Sequence, residues 1–441
     1  MTLEELGWAD TLVKNLAGHI AVRERDSLLI LIPNRAYKLN DTGLALLSEM
    51  LEGKKLADIL EKRFGTREIS EDVIEDIHCF FCDLRALTSG CGCALDKRRA
   101  VELVPFERPY NTLPVMSEVA LTYRCNLSCR FCYAGCSCTR RDTSPGMDTE
   151  DVKKILGIIK RDAQVPSVSW TGGEPLLRKD ICELTRYASE ELGMKVNLIT
   201  NGTLLTPALA DGLREAGLKS AQVSLEGGTR EVHEALTRSE GSFEKTLRAV
   251  KLFRERDIFV HTNTTLNRMN ADKTEELADL VASLGTGRFS MNLMIPAGSA
   301  VKELAVSYSE AGDIIRRTDR YASEKGLVFM WYSPTPYCLF NPVKQDMGGK
   351  SCAACDGLLS VSPDGDVLPC SSLAKSVGNL LRTPFEKIWF GRRAEYWKQK
   401  KYAHRSCRKC ETFNVCAGAC PIYWKAMGYK ELKEVFRGKN R

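Results

Sequence analysis

Long apolar runs are what this 441-residue chain most plainly lacks. The longest clean one, Leu28-Leu29-Ile30-Leu31-Ile32, falls far short of the ~20 residues that span a bilayer, so no membrane helix is expected. The opening Met1-Thr2-Leu3-Glu4-Glu5-Leu6 is acidic and has no apolar signal core, which predicts a cytoplasmic protein rather than a secreted one. Repeats at solenoid spacing and low-complexity tracts are missing as well. What remains, 27% charged and 44% hydrophobic residues, is the composition of a folded globular protein with room for two to four domains.

Cysteine breaks this ordinary pattern. The chain has 18, and they cluster as Cys125/Cys129/Cys132, Cys136/Cys138, Cys352/Cys355 and Cys407/Cys410/Cys416, with Cys420 close behind. In a reducing compartment such grouping reads as metal or redox chemistry, not as a disulfide framework. Cys79, Cys82 and Cys182 lie on helical patterns and read as packing groups. Cys91, Cys93, Cys136 and Cys138 read as structural or incidental.

Hydrophobic periodicity then divides the chain. Short strands at 19–22, 28–32 and 36–39 precede helical patterns at 41–51, 55–64 and 71–87, which suggests a winged-helix-like unit over 1–95. Prolines and charges over 96–116 read as a linker. From 117 to 300, strands at Val119–Thr122, Ser167–Thr171, Val196–Thr200, Ala221–Ser224, Phe259–Thr265 and Phe289–Met294 alternate with helices. Six such units imply an α/β fold with a parallel sheet, a partial (β/α)6 TIM-like barrel. Residues 301–337 bridge to a cysteine- and glycine-rich region, 338–441, expected as a metal-stapled domain. There Arg392, Arg393, Lys398, Lys400 and Lys401 read as a solvated helix face.

Three thiols within eight residues, directly after the first barrel strand, sit where barrels place their chemistry. Thiolates at this spacing can bind three irons of a cubane and leave the fourth open to a small molecule. A structural zinc site is the alternative, with Cys136 or Cys138 as its fourth ligand. The run Cys125-x3-Cys129-x2-Cys132-Tyr133 resembles the cluster loop of radical S-adenosylmethionine (SAM) enzymes. Thr171-Gly172-Gly173-Glu174-Pro175, ending the second strand, is similar to that family's SAM-amino-group motif. Carried over, the resemblance implies that Cys125, Cys129 and Cys132 hold the radical-generating 4Fe–4S cluster. Tyr133, Gly172, Gly173 and Glu174 would then line the SAM site, with Ser224 at the ribose and Arg238 at the SAM carboxylate.

Cys355-x9-Gly365-x4-Cys370, followed by Cys407-x2-Cys410-x5-Cys416-x3-Cys420, resembles the SPASM extension of the same enzymes, which holds two auxiliary 4Fe–4S clusters. The likeness assigns Cys355, Cys370 and Cys420 to one cluster, with Cys352 or Cys338 as fourth ligand, and Cys407, Cys410 and Cys416 to the other. The family's last cysteine is missing, since none follows Cys420; either Cys338 substitutes or one iron has no thiolate. The implied cofactors are three 4Fe–4S clusters and SAM, served by a flavodoxin or ferredoxin-type reductant. Anionic clusters would offset most of the formal +6 charge, so no nucleic-acid partner is expected. Ser371 stands where sulfatase-maturing members have an Asp, which argues against formylglycine formation.

Residues 36–87, with Leu39-Asn40-Asp41-Thr42-Gly43 and Leu51-Glu52-Gly53, resemble the peptide-recognition element related to the PQQ-biosynthesis chaperone. That likeness implies a leader peptide bound by strand addition. The expectation is therefore a radical SAM enzyme that oxidatively crosslinks a ribosomally made precursor peptide, through a thioether, carbon–carbon or related bond. The alternatives are action on a small cofactor precursor, a tetrapyrrole or a protein being matured, and a non-enzymatic electron carrier or peptide-binding protein. For the tetrapyrrole reading, Leu293-Met294-Ile295-Pro296-Ala297-Gly298 is similar to tetrapyrrole-processing relatives.

Overall fold

The computed structural model describes residues 4–33, 35–65, 69–89, 99–100, 109–136 and 146–438; Cys91, Cys93, Cys138 and much of the expected linker lie outside them. The chain forms two compact units, Met1–Val115 and Met116–Arg441.

In the first unit, α1 (Trp8–Leu16) precedes the strands β1 (Ile20–Arg23), β2 (Leu28–Leu31) and β3 (Arg35–Lys38). Helices α2 (Asp41–Leu51), α3 (Leu56–Phe64) and α4 (Glu71–Thr88) follow. The strands pair antiparallel in the order β1-β2-β3. All four residues of β2 are buried because both faces of the sheet are covered. Leu29 and Leu31 join Leu46, Leu47, Phe81 and Leu84 in the helical core, while Leu28 and Ile30 meet Val115, Ala36 and Tyr110. Asn40 caps α2 by accepting the Gly43 N–H at 2.8 Å. Helix α1 is an addition to the sequence expectation; it is nine residues long and its N-cap, Gly7, has no capping side chain, so it carries no start signal.

A buried ion pair closes this unit. Arg23 donates from Nε to Asp26 Oδ1 at 2.8 Å and from Nη2 to Oδ2 at 2.9 Å. The same guanidinium donates to the carbonyls of Leu113 and Pro114, and Asp26 accepts the Thr112 N–H. Residues 112–114 are thereby strapped onto the turn between β1 and β2.

The second unit is built on a ten-stranded sheet. Its parallel run is β4 (Met116–Thr122), β5 (Ser167–Gly172), β6 (Lys195–Thr200), β7 (Ser220–Ser224), β8 (Phe259–Leu266), β9 (Arg288–Leu293) and β10 (Val328–Trp331), neighbours in that order. Helices α5 (Thr149–Arg161), α6 (Ile181–Arg186), α7 (Pro207–Glu215), α8 (Arg230–Thr237), α9 (Ser242–Arg254), α10 (Thr274–Leu284) and α11 (Tyr308–Glu324) connect the strands. The bridging segment thus contributes a seventh parallel strand, which the exposed Val328 at the start of so short a strand conceals in the sequence. On the far side of β4, β11 (Leu358–Val361) pairs parallel with it, and β12 (Asp366–Leu368) and β13 (Gly378–Asn379) continue antiparallel. The sheet stays open, with β10 and β13 at its edges. Trp170 marks its helix-facing side, donating from Nε1 to Thr185 Oγ1 on α6. The opposite, concave side carries Ser360, Glu118 and Ser169 in one row across β11, β4 and β5.

Arg23→Ala is expected to leave the Asp26 carboxylate buried without its cation, at a cost of about 3–5 kcal/mol. Chemical denaturation of the full chain, followed by hydrogen exchange at amides in β1 and β2, checks this; a loss within a few tenths of a kcal/mol would show that water compensates the site.

Candidate active site

The loop after β4 carries the cysteine triplet and is held by backbone from three directions. Gly173 N–H donates to Thr122 C=O at 2.7 Å and Glu174 N–H to Arg124 C=O at 2.9 Å, clamping the loop's root to the end of β5. A Cβ on Gly172 would stand 2.2 Å from the Thr122 oxygen, and one on Gly173 2.2 Å from the Arg124 oxygen. These glycines therefore admit the cluster loop itself, where the sequence suggested only approach to a ligand. From the second direction, the last carbonyls of α8 accept the Ser128 and Arg130 N–H groups, satisfying helix-end acceptors. From the third, Ser299 N–H donates to Cys132 C=O at 2.9 Å, and Gly298 sits where a Cβ would strike the carbonyls of Cys132 and Tyr133. The run ending at Gly298 thus has a structural reason of its own beside its tetrapyrrole likeness.

The triplet gathers a fourth thiol. Cys136 hydrogen-bonds to Cys132 and interacts electrostatically with Cys125 and Cys129. Cys132 is lowered to about 6 by that bond, with amides of residues 134–136 also donating to it. Burial pushes Cys125 up to about 11, and Cys129 up as well. Asn201 links the loop to the end of β6, donating to Asn126 Oδ1 at 3.0 Å.

Glu174 is anchored by the chain itself. Its side chain is fully buried, and its carboxylate accepts from Leu176 N–H at 2.9 Å, Thr200 Oγ1 at 2.7 Å and Asn201 N–H at 2.9 Å. These three donors splice β5 to β6 and take most of the carboxylate's roughly four acceptor sites. Ser224 ends β7, half-buried at the same end of the barrel. Arg238 is exposed in left-handed backbone (φ 54°) just beyond α8, directly after the residues that dock on the cluster loop. Tyr133 lies deep, hydrogen-bonded to Ser371 and Thr171.

In the C-terminal region the remaining cysteines fall into two fours. Burial chiefly raises the thiols of Cys355, Cys370 and Cys420, and Cys352 raises each further. Cys407 is likewise raised by burial and then by Cys416, Cys338 and Cys410. The open choice between Cys338 and Cys352 thus divides, one to each group. Three successive left-handed residues, Ala417, Gly418 and Ala419, curl the chain between Cys416 and Cys420. That curl, costing about 1–3 kcal/mol per non-glycine residue, aims the Gly418 and Ala419 amides at the Cys416 sulfur. Four thiols per group is the donor set of a 4Fe–4S cluster. Among the described residues no three His, Cys, Asp or Glu side chains close on a single metal ion.

Lys400 corrects the expected solvated face. It is 1% exposed, pairs with Asp356 at 2.9 Å and donates to Cys352 C=O at 2.8 Å. A cation buried beside four thiols suits an anionic cluster. Alternating charge along 392–401 gave no sign of it.

In the N-terminal unit, Leu39 N–H donates inward to Ser27 C=O, so the backbone groups of Ala36 and Lys38 face the outer edge of β3. The Tyr110 hydroxyl occupies that edge, donating to Ala36 C=O at 3.2 Å and accepting from Lys38 N–H.

Comparison with known proteins places this geometry. Residues 119–281 match the profile of the Radical SAM superfamily, and 352–411 that of the SPASM iron–sulfur cluster-binding domain. PqqA peptide cyclase of Rhizobium meliloti is 30% identical over 318 residues, 70% of this chain and 82% of its own length. AdoMet-dependent heme synthase of Oleidesulfovibrio alaskensis is 28% identical over 318 residues, 68% of this chain and 80% of its own. In fold, the chain is similar to Streptococcus suis SuiB bound to precursor peptide SuiA, with TM-score 0.66 and 18% identity over 92% of this chain and 95% of that one. It is also similar to anSMEcpe with bound AdoMet, with TM-score 0.55 and 17% identity over 73% and 97%.

Glu174→Ala is expected to leave buried donors at Leu176, Thr200 and Asn201 unsatisfied, each worth about 1–3 kcal/mol. Urea unfolding should show a loss of at least that size. Glu174→Gln, which keeps the acceptor oxygen, should recover part of it. Wild-type stability in the alanine variant would overturn this bridging role.

Proposed function

The chain belongs to the radical SAM superfamily and carries a SPASM domain, which together imply 4Fe–4S clusters and SAM; from this premise we propose that it is a peptide maturase, forming an oxidative crosslink in a ribosomally made peptide held by its leader. The observation that carries this reading is the reach of the likeness to SuiB, which was solved with its precursor peptide. The 8% of this chain left unmatched is about 35 residues, fewer than the 115 of the first unit, so most of that unit is included. A three-stranded sheet with an outward-facing edge at β3 is the means by which such a unit would take an extended peptide.

Bound SAM and a reduced cluster supply a 5′-deoxyadenosyl radical, the hydrogen abstractor of this superfamily. Cys125, Cys129 and Cys132 would hold that cluster. Gly172 and Gly173 fix their loop, and Arg238, Ser224 and Tyr133 stand around the same barrel end to orient SAM. Cys352, Cys355, Cys370 and Cys420 would hold one auxiliary cluster, and Cys338, Cys407, Cys410 and Cys416 the other, three in all with the barrel's own. A flavodoxin or ferredoxin would supply the electron. The heme synthase relatives support a second reading, in which the substrate is a tetrapyrrole.

Mass spectrometry of candidate precursor peptides coexpressed with the protein separates the two readings. Loss of two hydrogens per crosslink supports the first. Unmodified peptides, with turnover of an iron porphyrin, would replace it by the second.

Two further outcomes are expected. Reduced protein with SAM should release 5′-deoxyadenosine, and the Cys125/Cys129/Cys132→Ala variant should release none while keeping about two-thirds of the iron. Tyr110→Phe should remove that hydroxyl from the β3 edge and tighten leader binding several-fold by fluorescence anisotropy, since a competing hydrogen bond is worth about 1 kcal/mol. Lys38→Pro, which removes an edge donor, should weaken it. Unchanged affinity in both variants would place the leader elsewhere.

A further inference from the structure

Glu118 is a carboxylate that neither the SAM site nor the cluster ligands account for. It lies on the concave side of β4, the first barrel strand, and its register partner Ser360 on β11 donates to Oε1 at 2.7 Å. Ser371 donates to it twice, from its hydroxyl and from its backbone N–H. Tyr133, on the cluster loop, stands close enough to feel its charge and shares Ser371 with it. Glu118 is deep in the barrel yet keeps some accessible surface. Among the described residues no lysine, arginine or histidine forms an ion pair with it, unlike the buried Asp26 with its Arg23. A buried carboxylate supported only by hydroxyls and an amide is costly to keep, and nothing in the packing of β4 requires one.

Its position explains it. Glu118 reaches both cofactor sites through Ser371: Ser371, which bonds to it, directly follows Cys370, and Tyr133, bonded to the same Ser371, directly follows Cys132. We propose that Glu118 is the proton acceptor for the bond-forming step, placed between the radical-generating site and the auxiliary cluster that Cys370 would hold. This rests on the oxidative-crosslink reading above. The adenosyl radical takes a hydrogen atom from a substrate C–H, giving 5′-deoxyadenosine and a carbon radical. Joining that carbon to a neighbouring X–H group of the same peptide makes the C–X bond and breaks X–H, which releases one proton and one electron. The proton goes to the Glu118 carboxylate. The electron goes to the oxidised iron–sulfur cluster of the Cys352/Cys355/Cys370/Cys420 group. Ser360 and Ser371 hold the carboxylate facing inward, and their hydroxyls can turn to accept once it is protonated.

The test is Glu118→Gln in the iron-loaded full-length protein with its precursor peptide. Glutamine keeps the volume and the Ser360 bond but cannot take the proton. The ratio of 5′-deoxyadenosine to crosslinked peptide should rise at least 10-fold, and a substrate-centred radical should build up in the electron paramagnetic resonance spectrum. Glu118→Asp should restore part of the coupling. A variant that loses both products in proportion, with no radical signal, has lost only structure, and the proposal falls. An unchanged ratio overturns it too. If the wild-type protein itself crosslinks no peptide, the failure belongs to the peptide reading and not to Glu118.

Discussion

The cluster loop has no regular structure, and everything at the barrel's mouth depends on holding it still. Its stability comes from backbone contacts made by segments far apart in sequence: the end of β5, the C-terminal turn of α8 and the loop after β9. Each uses peptide groups that would otherwise be unsatisfied, so fixing the loop and completing the barrel are one event. Close approach of backbones is possible only where side chains are missing. That is why glycines stand at 172, 173 and 298, with a Cβ at each forced within 2.4 Å of a carbonyl oxygen.

Charge imposes the second constraint. The unit from Met116 onward buries many thiols and several carboxylates, and it balances them in different ways. Lys400 gives the Cys352 group a buried cation tied down by Asp356. Glu174 receives three hydrogen bonds but no cation, and burial still carries it up to about 7. Glu226 reaches across to the Thr265 amide at 2.8 Å and is pushed to about 8 by burial. Carboxylates that close strands together can stay near neutrality at no loss of function, because they act through hydrogen bonds. Glu118 has two hydroxyl partners, Ser360 and Ser371, beside one amide, and hydroxyls that can donate or accept suit a group that changes protonation.

Much of this was legible in the sequence, and the reasons are specific. The thiol spacing around Cys125 and the Gly-Gly pair could be read because their positions are fixed by local chain geometry. Six barrel strands showed because alternating or continuous apolar runs sit between clear helix signals such as the Asp148 cap and Thr206-Pro207. What escaped was set by long-range partners. The strand-bridging role of Glu174 escaped because nothing near it in sequence announces Thr200 or Asn201. Lys400 looked solvated because its partner, Asp356, lies 44 positions away. Strand β11 sits within the C-terminal cysteine region but completes the barrel sheet, a pairing visible only once β4 offers its free side.

The N-terminal sheet meets a different demand. An exposed strand edge invites association with any extended chain, and proteins usually block such edges with charge, proline or a covering segment. Among the described residues, the Tyr110 hydroxyl covers the edge of β3. Tyr110 satisfies one donor and one acceptor of β3, and residues 112–114 are anchored nearby by the buried Arg23–Asp26 pair. A hydrogen bond exchanged with a competitor is worth only about 1 kcal/mol net, whereas an added strand of four or five residues makes several at once and also buries side chains. The plug is therefore strong enough to discourage chance pairing by one or two residues and weak enough to yield to a longer, complementary strand. The strap at 112–114 is anchored by the buried pair, while Tyr110 is a contact that a competing strand could exchange. A leader would then be selected by the length and register of its strand, with Tyr110 setting the threshold.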